Sequence, residues 1–442
     1  MKLLSRALIF AGAAILLAQA APAEFRYDVR QFRLDNGLTV LLYENHAASV
    51  ISYYTFFKVG SRNERPGITG ISHVLEHMMF NGAQKYGPKM FDLMLETNGG
   101  SSNAYTTNDM TVYLEDFSSD ILELVLDLES DRMAHLALDS QVLATELDII
   151  KEERLVRSEN DPGGIIYEEL MANAYIAHPY GWPIIGWMAD LEHIRRPDVA
   201  AYVSTFYAPN NAVIVIAGDF DTAKATALIK TYFASIPAGP PAPTVVQDEP
   251  VQRGARRVTI EKPAQYCHFM RGFHVGDKND SNLYALEIVN QLLVSSESSR
   301  LYQTLVNDLQ LAMGMYGDFD WGFDPTLFYF YVAAIPGVEA APIETAFDSV
   351  LTDFITRGPS EEELTRAKNS LIADYYKGFK SNAGIAHKIG YYQTLYGDWQ
   401  AMYEYVDNIE KVTIEAVKHA AAKYFTVPNS TTVILTPEGG AL

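Results

Sequence analysis

Two histidines four residues apart bracket a glutamate in His73-Val74-Leu75-Glu76-His77. On a helix these histidines lie one turn apart on one face, with Glu76 beside them. Imidazoles at i and i+4 can occupy adjacent corners of a tetrahedral zinc site. A carboxylate held next to them without ligating can take a proton from water, which is the H-x-x-E-H inverzincin arrangement. The chain has 10 His and 55 acidic residues, and chance would give roughly 0.03 such motifs in it. Accident is therefore a weak rival.

Zinc needs a third ligand. The chain has one cysteine, Cys267, which excludes both a cysteine metal cluster and an intramolecular disulfide. Cys267 lies in the apolar stretch 266–270 and reads as a core residue. An oxygen donor is expected instead, and the run 146–154 offers Glu146, Glu152 and Glu153. Glu146 and Glu153 are seven apart and share a helix face. Spacing alone leaves the choice among the three open.

The elements that position these groups can be read from periodicity. The motif sits in a helix, with Thr69 as the expected N-cap and Asn81-Gly82 as the stop. Ile71, Val74, Leu75, Met78 and Phe80 flank the polar groups, so the helix should be mostly buried. Residues 121–135, 140–158 and 361–379 also show 3.6-residue periodicity, the last opened by a Ser360/Glu363 capping box. Residues 32–43 alternate around Asn36-Gly37 as a hairpin, and 51–59 and 111–117 read as strands. Strands and helices come in blocks, which favours an α+β fold over a doubly wound sheet.

Residues 1–23 form an export signal: Lys2 and Arg6, an apolar run over 7–20, then small-residue cleavage patterns ending at Ala23. The protein is thus expected to be exported, and periplasmic if its source is Gram-negative. Cleavage removes Lys2 and Arg6 and takes the formal charge from −21 to −23. No later run of 18 apolar residues predicts a membrane span. The acidic balance argues against nucleic acid and favours cationic partners, including basic peptides.

The mature chain divides at a proline-rich linker, 237–256, into domains 24–236 and 257–442. The two parts echo each other. Phe57-Lys58-Val59-Gly60 recurs as Phe273-His274-Val275-Gly276, and Pro209-Asn210 before a Val/Ile run recurs as Pro428-Asn429. Nearly equal offsets point to a duplicated unit of about 200 residues.

With these features the chain resembles the pitrilysin/insulinase family of zinc metallopeptidases, near its short, mitochondrial-processing-peptidase-like members. The resemblance runs from about Phe32 to Pro437. It implies two related α/β-sandwich halves, of which only the first binds metal. It carries the third zinc ligand to Glu153, 76 residues after His77, and a supporting role to Glu146. Zn²⁺ would then be held, one per chain, by His73, His77 and Glu153, with Glu76 as the catalytic base. Residues 99–106 resemble the family's active-site edge strand, placing Asn103, Ala104 and Tyr105 against the substrate backbone. His178-Pro179-Tyr180-Gly181 and Ile185-Gly186 match a further family signature. The position equivalent to the motif in the second half, 290–294, has no ligand residues.

One departure is informative. Family members carry an Arg and a Tyr seven residues apart in the second half, and here those positions fall on Val306 and Met313. Neither side chain can donate a hydrogen bond, and Tyr316 is off register. The resemblance therefore implies a zinc-bearing subunit whose homologous partner chain supplies the Arg/Tyr pair.

Overall fold

The computed structural model describes residues 26–438; the expected export signal, residues 1–23, lies outside them. Among the described residues eleven strands make two sheets. The first is built from β1 (Val29–Arg33), β2 (Thr39–Glu44), β3 (Val50–Phe57), β4 (Ser101–Thr106), β5 (Thr111–Ser118) and β6 (Ala212–Gly218), in the order β1-β2-β6-β3-β5-β4. The second holds β7 (Arg256–Lys262), β8 (His268–His274), β9 (Ala312–Asp318), β10 (Leu327–Ala334) and β11 (Ser430–Pro437), in the order β7-β11-β8-β10-β9.

Without β1 the two orders are the same, strand for strand. β2 and β6 pair parallel, as do β7 and β11, and the other pairings in both sheets are antiparallel. The echo seen in the sequence falls at equivalent places, since Phe57 pairs with Ala212 and Phe273 with Ser430. The fold is thus two related α+β halves. Residues 237–255, between them, form neither helix nor strand.

Both sheets are buried on both faces, which is why β6 reads as the unbroken apolar run Ala212–Gly218. On one face of the first sheet, Ile214, Ile216, Tyr53 and Phe57 pack with Val74 and Leu75 of the motif helix, Leu147 and Ile150, and Ile229 and Phe233. The opposite face, with Leu41, Tyr54, Phe56, Val213 and Val215, is covered by Ile385, Ala386 and Ile389. Those three belong to helix Asn382–Tyr396 of the second half. Gly390 makes that approach possible, because a Cβ there would stand 2.0 Å from the Phe56 ring.

The arrangement is reciprocal. Helix Pro162–Ala174 follows the motif helix in the first half but buries Ile166, Leu170 and Ala174 against Met270, Leu327, Val433 and Leu435 of the second sheet. Arg256 Nη1 donates to the Asn173 and Ala174 carbonyls at the end of this helix, and His274 Nε2 lies 2.9 Å from the Ala174 carbonyl. Each half therefore completes the core of the other. No helix among the described residues is long and apolar enough to cross a membrane.

Candidate active site

The motif helix is short, Ile71–Met78, and its entrance is built differently from expectation. Gly70 is the N-cap, at φ +88°, where a side chain would be strained. A Cβ there would also meet the Ile185 carbonyl at 2.5 Å. The capping acceptor comes from outside: Gly70 N and Ser72 N donate to the buried Glu64 carboxylate at 2.7 and 2.9 Å. Thr69, the predicted cap, instead donates its hydroxyl to Asp190 and accepts from Trp187 N. Sequence reasoning missed Glu64 because its donors lie six and eight residues downstream, beyond the capping-box spacing.

Ile71, Val74, Leu75 and Met78 are buried in the first core, which turns His73, Glu76 and His77 to the other side, half-buried. Helix Ser140–Arg154 lies against them, capped by Asp139, whose carboxylate accepts from Gln141 N and Val142 N. Leu143, Leu147 and Ile150 anchor this helix in the core. Glu146 and Glu153 are then presented to the histidines, whereas Glu152 is exposed. Exposure sets Glu152 apart from the other two.

Glu153 Oε2 stands 3.9 Å from His73 Nε2 and 3.6 Å from His77 Nε2. Those gaps are too long for hydrogen bonds. They approach the ~3.4 Å separating donors held ~2.1 Å from a shared tetrahedral centre. Ligand atoms of His73, His77 and Glu153 all lie within 4.8 Å of one another, and no other described residues gather such a group. Two imidazoles and a carboxylate suit zinc and leave one position open. Glu153 Oε1 is taken by Arg157 at 2.6 Å. His77 Nδ1 meets Glu146 Oε2 at 3.0 Å, which leaves Nε2 as the donor atom facing Glu153. Asn81 Nδ2 ties Glu146 Oε1 back to the His77 carbonyl. Burial, with a smaller push from His77 and Arg157, pulls His73 down to about 3, so its ring is neutral and free to ligate at ordinary pH.

Glu76 stays out of that trio. Its Oε2 accepts from the Thr106 hydroxyl at 2.5 Å. Burial pushes the carboxyl up, against the lowering effect of that bond. Thr106 ends β4, which pairs only with β5 among the described strands and so has an open edge. Asn103, Ala104 and Tyr105 lie on this edge strand. Tyr105 OH bonds His387 Nε2, from the second half's exchanged helix, at 2.8 Å. Ser102 Oγ donates to Asp92 at 2.7 Å. The strand is thus fastened on both faces while its backbone edge stays open.

His387 yields a pH prediction. Burial pulls it from 6.5 down to about 4. Between these values the unfolded chain carries a proton that the native state does not, so stability falls as pH drops from 6.5 to 4. The full shift is worth about 3 kcal/mol. His387→Gln keeps a partner for Tyr105 and should lessen the fall in Tm across this window. An undiminished fall would mean that His387 is not held neutral.

In the second half, Val306 packs against the core and Met313 lies exposed on β9. Tyr316, also on β9, is half-exposed beside the Tyr331 ring. Cys267 is buried. His178 and Tyr180 join the halves: His178 Nε2 meets Asp324 at 3.1 Å, and Tyr180 OH accepts from Asp324 N at 3.2 Å.

Comparison with known proteins agrees with this architecture. The family described as Insulinase (Peptidase family M16) matches residues 39–186, and that described as Peptidase M16 inactive domain matches 193–371. The Helicobacter pylori protein named zinc protease PqqE is 30% identical over 408 residues, 91% of this chain and 92% of that protein. A crystal structure of a protease from Helicobacter pylori superposes with a TM-score of 0.90 at 29% identity, covering 93% of this chain and 100% of the other. The periplasmic protease PqqL from Escherichia coli shares the fold at TM-score 0.76 and 19% identity, with 94% of this chain matching 48% of that one. Matched in both halves by family models, and over nine-tenths of its length by a relative at 30% identity, the chain belongs to the insulinase family of peptidases, M16.

Proposed function

We propose that the protein is a zinc-dependent endopeptidase that cuts extended peptides inside a closed chamber. The observation that carries this reading is the placing of Glu76, free of the His73/His77/Glu153 trio yet bonded to the end of an open edge strand. A peptide adds to β4 as a further strand, so its backbone provides most of the affinity and varied side chains are tolerated. His73, His77 and Glu153 hold the metal, and Glu146 fixes the ring orientation of His77. When bound, zinc supplies Lewis acidity, lowering the pKa of water and polarising a carbonyl. Glu76 takes the proton from the attacking water and hands it to the leaving amine.

The second half carries Val306 and Met313 where hydrogen-bond donors to the substrate carbonyl are expected, so the missing donors come from a homologous partner subunit. The length of the PqqL chain, about twice that matched here, supports a working unit of two such chains. Export, to the periplasm of a Gram-negative cell, and a preference for basic peptides are part of the same reading, resting on residues 1–23 and on the charge of −21.

Purified chain should contain about one zinc, and peptide cleavage should rise when the companion isolated with it from its native source is added. Absence of metal after zinc reconstitution would end the metallopeptidase reading. Full activity of the chain alone would end the split-duty part.

A further inference from the structure

We infer that Thr106 is a positioning residue that ties the catalytic base to the strand on which the substrate docks. The inference rests on the function proposed above. On β4 the side chains alternate. Ser102 and Thr106 turn toward the helices on one face, while Tyr105 turns to His387 on the other. Each hydroxyl on the helix side donates to a carboxylate of a different helix, Ser102 to Asp92 and Thr106 to Glu76. Ser102 is remote from the base, so its bond secures the strand. Thr106 secures the base to the strand.

The physical consequence concerns register. Glu76 has three side-chain torsions, and no other hydrogen bond holds its carboxylate in the described structure. The Thr106 bond fixes which oxygen remains available and where it points. A substrate paired with β4 has its scissile bond placed by the same backbone that carries Thr106. One strand therefore sets both partners of the proton transfer, so movement of β4 shifts base and substrate together. A misplacement of about 1 Å can cost on the order of 100-fold in rate. Thr106 touches neither substrate nor metal in this scheme. It acts through Glu76.

Thr106→Val keeps the branched shape that suits a strand and removes the donor. Its kcat on a peptide substrate should fall about 10- to 100-fold. KM should change less than about 3-fold, because backbone pairing is untouched. Thr106→Ser restores the hydroxyl and should recover kcat to within about 3-fold of the parent. Zinc content and Tm of both variants should match the parent, which separates the effect from misfolding. Unchanged kcat in Thr106→Val would overturn the inference. So would equal loss in the Val and Ser variants, or a loss confined to KM, since each would place the role in strand shape or pairing. Glu76→Gln, measured alongside, distinguishes the two levels. If it is inactive while Thr106→Val is fully active, only this inference fails; if it is fully active, the base assignment itself fails.

Discussion

Glu76→Gln is expected to lower kcat about 1,000-fold and leave zinc in place. Gln has the same shape, so it can still accept from Thr106 at the position where Glu76 does so at 2.5 Å. It cannot take up a proton. General-base catalysis contributes about 10²–10⁴-fold, and a 1,000-fold loss corresponds to about 4 kcal/mol of barrier. Because Glu76 lies outside the His73/His77/Glu153 trio, metal content by elemental analysis should remain near one per chain. The paired measurement is what decides. Lost activity with lost zinc would make Glu76 a ligand, and retained activity with zinc present would deny it a role in proton transfer.

The second large effect concerns the ligands. His77→Ala should weaken zinc binding by more than about 100-fold, judged by competition with a chromophoric chelator, and abolish cleavage. The expectation follows from position: His77 Nε2 lies 3.6 Å from Glu153 Oε2, and its Nδ1 is held by Glu146 at 3.0 Å. Removing the ring takes away one of the three proposed ligands and also leaves the half-buried Glu146 without that partner. Glu146→Gln, which disturbs only the support, should cost less, about 10- to 100-fold in affinity. Glu152→Gln should cost nothing, since that side chain is exposed. If Glu152→Gln released zinc while Glu153→Gln did not, the ligand assignment would have to move by one residue. A helix turns about 100° per residue, so such a shift would require the helix to rotate as a whole.

Much of this site could be read from the sequence because its chemistry depends on local spacing. His73, Glu76 and His77 lie within one and a half turns of a single helix, and residue order alone puts them together. The edge strand 101–106 was legible only through the family resemblance, and the duplicated halves through short matches that recur at nearly one offset. The choice among Glu146, Glu152 and Glu153 could not be made from the residues themselves. The face of Ser140–Arg154 that Leu143, Leu147 and Ile150 bury sets Glu152 aside, and only the packing of the two helices brings Glu153 toward both Nε2 atoms while Glu146 meets His77 Nδ1. Glu64 and Thr106 escaped for another reason. Each acts on a group far off in sequence or on another element, and a carboxylate or hydroxyl in a loop or strand carries no sign of such a partner. The destinations of helices 162–174 and 382–396 were hidden as well. Periodicity reports an apolar face but not the sheet that will cover it.

The exchange of those two helices has a consequence for how the chain comes into being. Both sheets owe one covered face to a segment encoded in the other half. A nascent first half, completed up to β6, would present Tyr54, Phe56, Val213 and Val215 to solvent until residues 382–396 have been made. Such long-range closure slows folding and leaves an aggregation-prone surface in the meantime. It also matches what a swapped dimer of two such units would show. Two identical ancestral chains trading one helix would form a symmetric swapped dimer, and joining their genes end to end would preserve every contact. The second half, with no ligand residues at 290–294, still serves as the missing wall of the first.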